Sequence, residues 1–303
     1  MLNSTIVSYP ERGNYGSNKY RGNCSGKLIK DIIETPFYNI RYLSDYMVGS
    51  GTTEDVCREM GIDGVWLDLN RGFDLMTMDI PDHPQNIFWH PPYGSMITYS
   101  DNMYKADDII SKYGFDPRIN DLSRCKDHDD FIFKLNYCEL KQFTALQKGG
   151  RMFILVGDYK KNRKLYSMVC DIVKLGTLEQ IIIKTEHNCW SDNIIYSKKN
   201  YVPIQHEYLI VLRKDSAIII PVSYITKKTF DIRDSKQITW RDLILSVLEE
   251  YGPLTLKQIY EKVKTSYPVK CSDNNNVEAK IRQIVRTKPY FKSLGNATYA
   301  VAA

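Results

Sequence analysis

The run Ile87-Phe88-Trp89-His90-Pro91-Pro92-Tyr93-Gly94 places an imidazole, a proline carbonyl and an aromatic ring directly behind an apolar stretch. Prolines cannot continue a sheet ladder, so a strand ending here presents its last side chains and carbonyls at its carboxyl end. In an open α/β sheet that edge is where ligands bind. A tyrosine fixed by two prolines makes a flat wall for a planar base, and His90 and the Pro91 carbonyl are acceptors beside it. Such a site suits an exocyclic amino group that acts as a nucleophile. A strand followed by a Pro-rich turn would look the same, so residues upstream must decide.

Those residues form a nucleoside-binding pattern. Tyr42 to Val48 reads as a short strand running into Gly49-Ser50-Gly51-Thr52-Thr53, then a helix from Glu54 to Met60, closed by Gly61. Gly64 to Asn70 is a second strand, with Asp68 near its end. Strand, glycine turn, helix and acid-ended strand make a βαβ unit: the glycines let backbone approach a ligand, and Asp68 can accept both ribose hydroxyls. The turn lacks the third glycine of a nicotinamide fingerprint and the lysine of a P-loop. A ligand with a ribose and no phosphate, such as S-adenosylmethionine, fits better. In the loop that follows, Asp79 could accept from an adenine amino group and Phe73 could stack on its ring.

Taken together, Asp45 to Thr53, Asp68 and His90-Pro91-Pro92-Tyr93 resemble the amino-methylating DNA methyltransferases that modify adenine N6 or cytosine N4. Arg21 to Ile33 resembles that family's N-terminal cofactor segment, Lys148 to Asp158 a later strand, and Tyr201 to Val211 the closing hairpin strand. The resemblance implies an α/β fold, a Rossmann-like S-adenosylmethionine methyltransferase sheet flanked by helices. It implies that Arg21, Gly22, Asn23, Ser25, Asp45, Gly49, Ser50, Gly51, Thr52, Thr53, Asp68, Leu69 and Asp79 hold the cofactor. It further implies that His90, Pro91, Pro92 and Tyr93 hold a base flipped out of double-stranded DNA and stacked on Tyr93. Catalysis would be alignment and electrostatics, with no metal and no cysteine nucleophile.

His90 departs from the family's usual Asp, Asn or Ser. A neutral imidazole accepts one hydrogen bond, which preserves the chemistry when the ring is correctly turned. Adenine N6 is the expected target and cytosine N4 the alternative. Methylation of a protein glutamine or an RNA base poses the same geometric problem, and a DNA-binding regulator with a degenerate site is the reading from another class.

Further along, residues 95 to 147 are polar, with Tyr99, Tyr104, Arg118 and Arg124 among acids, and read as a lid or DNA-contacting loop followed by a helix from Asp129 to Gln147. Lys160, Lys161 and Arg163 form a basic run suited to phosphates or to a solvated loop. A helix is expected over Leu165 to Leu175, and strands over Gln180 to Lys184 and Tyr208 to Leu212. The loop between these strands, with His187, Trp190 and Lys198, is a candidate for target-sequence contact. His187 and His206 read as local hydrogen-bonding residues.

The tail reads as a separate unit: a methyltransferase domain over 1–222, a linker over 223–238 and a small winged-helix domain over 239–303. Helices are expected over Thr239 to Leu248, Leu256 to Val263 and Val277 to Thr287, then a hairpin. Lys280, Arg282, Arg286 and Lys288 give the third helix a basic face suited to DNA.

Composition fits this reading. The 303 residues are 43% hydrophobic and 25% charged, with 41 Lys and Arg against 36 Asp and Glu. A net charge of +5 permits a nucleic-acid partner. Seven scattered cysteines without a C-x-x-C pair read as reduced thiols. No apolar run is long enough for a bilayer, and the polar first residues lack a signal-peptide core. The expectation is a cytoplasmic, nucleoid-associated monomer or homodimer of bacterial or phage origin.

Overall fold

The structure is a computed structural model that describes residues 1–187, 202–226, 238–287 and 290–302. Trp190, Lys198 and Lys288, and most of the expected linker, lie outside the described residues. The chain divides into two compact units, Met1–Ile225 and Thr226–Ala303.

In the larger unit a short strand β1 (Ile6–Ser8) precedes helix α1 (Gly26–Glu34). The next pair is β2 (Leu43–Ser44) and α2 (Thr52–Met60), then β3 (Asn86–Trp89). Two helices follow, α3 (Ala106–Tyr113) and α4 (His128–Ala145). After β4 (Arg151–Val156) comes a hairpin of β5 (Tyr159–Lys161) and β6 (Lys164–Tyr166). A single-turn helix α5 (Met168–Asp171) leads to β7 (Lys174–Leu175), β8 (Thr177–Thr185), β9 (His206–Arg213) and β10 (Val222–Ser223).

The main sheet runs β1-β8-β9-β4-β3-β2. Bridges Tyr42–Asp63 and Asp45–Trp66 set the next segment parallel to β2 at the far edge. β2, β3 and β4 are parallel, and β9 is antiparallel to both neighbours. This is a Rossmann-like α/β sheet. The chain steps outward from β2 and then returns to its other side as β3, so the strand order reverses between β2 and β3, where such sheets bind ligands.

Alternation along the strands sets the two layers. Ile87, Trp89, Met152, Ile154, Ile210 and Leu212 face α4 residues Phe131 and Leu135, whereas Phe88, Phe153, Leu155, Leu209 and Val211 face Leu28, Ile29 and Val56 of α1 and α2. Both faces are covered, which is why β3 and β4 read as continuous apolar runs. The backbone passes close where Gly64 abuts β2: a Cβ there would lie 2.0 Å from the Leu43 carbonyl oxygen. Gly64→Ala is therefore expected to destabilise the larger unit by about 1–3 kcal/mol, measured by chemical denaturation.

Three expectations are corrected. The helix expected over Leu165 to Leu175 is a strand, one helical turn and another strand. The basic run 159–164 is a hairpin whose turn residues, Asn162 and Arg163, take φ of 52° and 63°. The start of the chain, read as loop, supplies the edge strand β1, parallel to β8.

The smaller unit contains α6 (Trp240–Tyr251), β11 (Leu254–Thr255), α7 (Leu256–Ser266), α8 (Pro268–Ser272), α9 (Val277–Val285), β12 (Phe291–Gly295) and β13 (Thr298–Val301). Thr239 caps α6, and Thr255 with Gln258 forms a capping box on α7. Three helices close over one core that includes Leu243, Ile244, Ile259, Val263, Ile281 and Phe291, beside a sheet ordered β11-β13-β12. The helix α8 and the strand β11 had no counterpart in the sequence reading. Among the described residues no helix is long and apolar enough to cross a membrane.

Candidate active site

Three polar residues follow directly on adjacent parallel strands: Asp45 after β2, Asp68 after the edge segment and His90 after β3. All three line one cavity, together with Gly22, Asn23, Gly49, Thr52, Thr53, Leu69 and Pro92. Phe73 lies in its wall as well.

Asp45 is 2% exposed. Its Oδ1 accepts the Met47 N–H at 3.0 Å and its Oδ2 the Thr53 hydroxyl at 2.6 Å. Burial pushes its carboxyl up to about 7, against the downward pull of those two bonds. Asp68 closes the glycine turn: Oδ2 accepts the Gly49 N–H at 2.8 Å and Oδ1 the Asn70 N–H at 2.9 Å. Burial raises this carboxyl too. Each carboxylate oxygen has a second lone pair, so Asp68 keeps acceptor capacity after bonding the backbone. Gly49 and Gly51 take φ of 57° and 102°, where a side chain would be strained.

Two buried hydroxyls on the cavity wall, Thr52 Oγ1 and Tyr104 Oη, have no protein partner among the described residues. Buried polar atoms are normally satisfied, so orphans facing a cavity are what a polar ligand would complete. The residues present therefore fit a nucleoside-type cofactor, with carboxylates for hydroxyl or cationic groups and an aromatic wall.

Other residues of the sequence reading lie elsewhere. Asp79 is exposed and outside the cavity lining; Asp74, five positions earlier and buried, lies in it instead. Asp74 accepts from Met76 N–H, the Thr77 hydroxyl and Asn120 Nδ2. Arg21 is exposed, Ser25 bonds the Arg12 carbonyl, and Ser50 accepts the Ser17 N–H; with Gly51, these border the site without lining it. Pro91 and Tyr93 are not in the lining either. The Tyr93 ring is packed on Gly157, where a Cβ would come within 2.7 Å of it. Its hydroxyl is held at 2.5 Å by Glu207 and at 2.8 Å by His90 Nε2. The ring is thus anchored beside the cavity, and His90 and Pro92 form the wall there.

Residues missed from sequence are Tyr20, which packs against Tyr99 at 5.6 Å, and Asp74, Asn120, Asp121 and Leu122, which complete the wall. Tyr99 and Tyr104 come from the segment read as a lid. Asp121 accepts from the backbone and hydroxyl of both Ser100 and Ser123, which ties that segment down.

The basic residues divide. Lys160 bonds the Val202 carbonyl at 2.6 Å and Lys161 the Ser95 hydroxyl at 2.9 Å, while Arg163 is exposed at the hairpin turn. In α9 and just beyond it, Lys280 is half-buried and Arg282 and Arg286 are exposed, with Arg282 Nε donating to Tyr260 at 3.1 Å. His206 makes a local bond to Tyr208, whereas His187 reaches Ser8 on β1, each at 2.8 Å.

No known family profile matches the chain, and no curated protein does. Among solved structures, it is similar to TTHA0409 of Thermus thermophilus, provisionally assigned as a DNA modification methylase: 16% identity, 67% of this chain, TM-score 0.27. The chain spans 62% of that protein's length. The same protein complexed with S-adenosyl-L-methionine aligns at 16% identity, 67% of this chain, 64% of that one and TM-score 0.29. TrmN from Thermus thermophilus aligns at 13% identity over 64% of this chain and 50% of that one, TM-score 0.30.

Proposed function

We propose that the chain is an S-adenosylmethionine-dependent methyltransferase that methylates the exocyclic amino group of a base in double-stranded DNA, adenine N6 ahead of cytosine N4. The observation that carries this reading is the convergence of Asp45, Asp68 and His90 on one cavity, from the ends of adjacent strands, beside a glycine turn. When bound, S-adenosylmethionine supplies a methyl group on a positively charged sulfonium, and transfer forms one N–C bond as one C–S bond breaks. Asp68 would take the ribose hydroxyls, Asp45 and the Thr52 hydroxyl the cofactor's polar end, and Asp74 with Phe73 the adenine. His90 and the Pro91 carbonyl would accept from the amino group of a flipped base and keep its lone pair aimed at the methyl carbon.

The smaller unit has the helix and hairpin order of a winged helix, and Lys280, Arg282 and Arg286 on one stretch suit a phosphate backbone. Charge reversal of Arg282 and Arg286 is expected to weaken duplex binding uniformly across sequences and to flatten its salt dependence, measured by fluorescence anisotropy.

The deciding experiment is transfer of labelled methyl from S-adenosylmethionine to unmethylated duplex DNA, with mass analysis of the nucleosides. N6-methyladenine or N4-methylcytosine establishes both class and base. Label that appears only in RNA or protein overturns the DNA reading, and absence of cofactor binding favours the degenerate regulator. Asp68→Ala is expected to weaken cofactor binding about tenfold, the loss of a hydrogen bond to a charged group, read by calorimetry.

A further inference from the structure

His90 stands in a chain of polar groups that leaves the cavity and ends in a buried ion pair. His90 Nε2 is 2.8 Å from Tyr93 Oη, which is 2.5 Å from Glu207 Oε1. Glu207 Oε2 accepts from Lys184 Nζ at 2.7 Å, and Lys184 also pairs with Glu186. The His90 and Glu207 side chains are 14% and 11% exposed, and their nearest nitrogen and oxygen are 3.7 Å apart.

Proton counting fixes this chain in one direction. Lys184 has only donors, so the Glu207 oxygen facing it accepts. Burial alone would raise the Glu207 carboxyl, but hydrogen bonding toward His90 and the charge of the Lys184 ammonium outweigh it and hold it well below the ordinary carboxylate range. An ionised carboxylate can only accept, so the single hydroxyl hydrogen of Tyr93 goes to Glu207. Tyr93 Oη is then an acceptor toward His90, and Nε2 must carry the ring's proton. In the neutral ring that leaves Nδ1 with the lone pair, and no partner for it exists among the described residues.

We propose that Glu207, acting through the Tyr93 hydroxyl, locks His90 as the Nε2–H tautomer, so that Nδ1 is the acceptor offered to the target amino group. This rests on the methyltransferase reading for the identity of the substrate, but the lock is a property of the free protein. Glu207 is a positioning residue and His90 the catalytic one. As the amino nitrogen gains its methyl it must shed one proton. His90 Nδ1 takes that proton and becomes an imidazolium beside the Glu207 carboxylate, and water removes it afterwards. An Asp, Asn or Ser at this position would need no such backing, since each offers its acceptor oxygen without a choice of tautomer.

The test is the tautomer of His90 in the full-length free protein labelled with 15N-histidine, read from long-range 15N–1H correlations, with His90→Asn assigning the signal among five histidines. The wild type is expected to show a protonated Nε2 and a bare Nδ1. In Glu207→Gln the new amide turns its carbonyl to Lys184 and its NH2 to Tyr93. The chain then reverses, Tyr93 donates to Nε2, and His90 becomes the Nδ1–H form. That variant is expected to lose about 10²-fold in kcat with cofactor Kd unchanged. Tyr93→Phe cuts the chain and is expected to give a mixture of tautomers, and it carries the test if Glu207→Gln does not fold. A wild-type Nδ1–H signal, or a pure Nε2–H signal retained in either folded variant, overturns the lock. The expected tautomers in a protein that methylates no nucleic acid would leave the lock standing and sink the methyltransferase reading.

Discussion

Lys184→Met is expected to destabilise the larger unit by about 3–5 kcal/mol, the cost of removing one partner from a buried ion pair. Lys184 is 5% exposed and Glu207 9%. Burial acts to lower the lysine's pKa, yet the charges of Glu207 and Glu186 outweigh it and hold the ammonium form. Without that ammonium, two carboxylates, Glu186 at the exit of β8 and Glu207 on β9, face one another with no counter-ion. Glu186 already shows the strain: burial, then the Glu207 charge, push its carboxyl up to about 7. In the variant Glu186 would be raised further, and Glu207 would lose the ammonium that helps to hold it low. A carboxyl raised above its unfolded value binds more protons folded than unfolded, so stability is lost as pH rises. The penalty should therefore shrink on acidification toward pH 5 and be full at pH 8. Hydrogen exchange of core amides in β4 and β9 measures it. Adding Glu186→Gln and Glu207→Gln to Lys184→Met should recover most of the loss; a triple variant as unstable as the single one would show that the lysine acts through packing.

These buried charges mark what the sequence made legible and what it did not. In β9, Glu207 shares its parity with Leu209 and Val211, which face α1 and α2, and in β8 Lys184 shares that of Ile182. Neither charge stood out from the sequence, because alternation says which face a side chain takes and nothing about what stands opposite. Asp68, by contrast, was legible, since it ends the edge segment that follows the glycine turn and α2, and that short unit alone delivers it to the cavity. The loop 73–82 shows the limit. It carries both Asp74 and Asp79 with no periodicity to rank them, and Asp74 was chosen by a turn in which it bonds Met76, Thr77 and the distant Asn120. The expected helix over Leu165 to Leu175 failed similarly. Its apolar run fits either period, and pairing with β5 at one end and β10 at the other left one helical turn between. Tyr93 follows β3, and its ring lies against Gly157 at the exit of β4 and outside the cavity lining, a placement that depends on a glycine far away in the sequence.

Asp45→Asn is expected to remove a pH dependence of the free protein that runs opposite to ordinary acid denaturation. The Asp45 carboxyl sits at about 7 in the fold against about 3.9 in an unfolded chain. Between those values the folded state holds a proton that the unfolded state has released, so stability falls as pH rises through the window and levels off above it. A displacement of about 3 units corresponds to roughly 4 kcal/mol at full effect. The asparagine variant keeps the acceptor for Met47 and an amide for Thr53 without the buried charge. Its unfolding free energy should fall less between pH 4 and pH 7 and exceed the wild type's at pH 8. An identical slope in both proteins would place the responsible proton on another group. The same carboxyl faces the cavity, so a ligand bearing a sulfonium or ammonium beside it favours the ionised form and must release a proton on binding near pH 6. Calorimetry of S-adenosylmethionine binding in two buffers of different ionisation enthalpy reads that proton directly. Wild type should release close to one at pH 6 and almost none at pH 8.5, and Asp45→Asn none at either. Proton release that survives in the variant would mean that the charge on the cofactor is met elsewhere in the cavity.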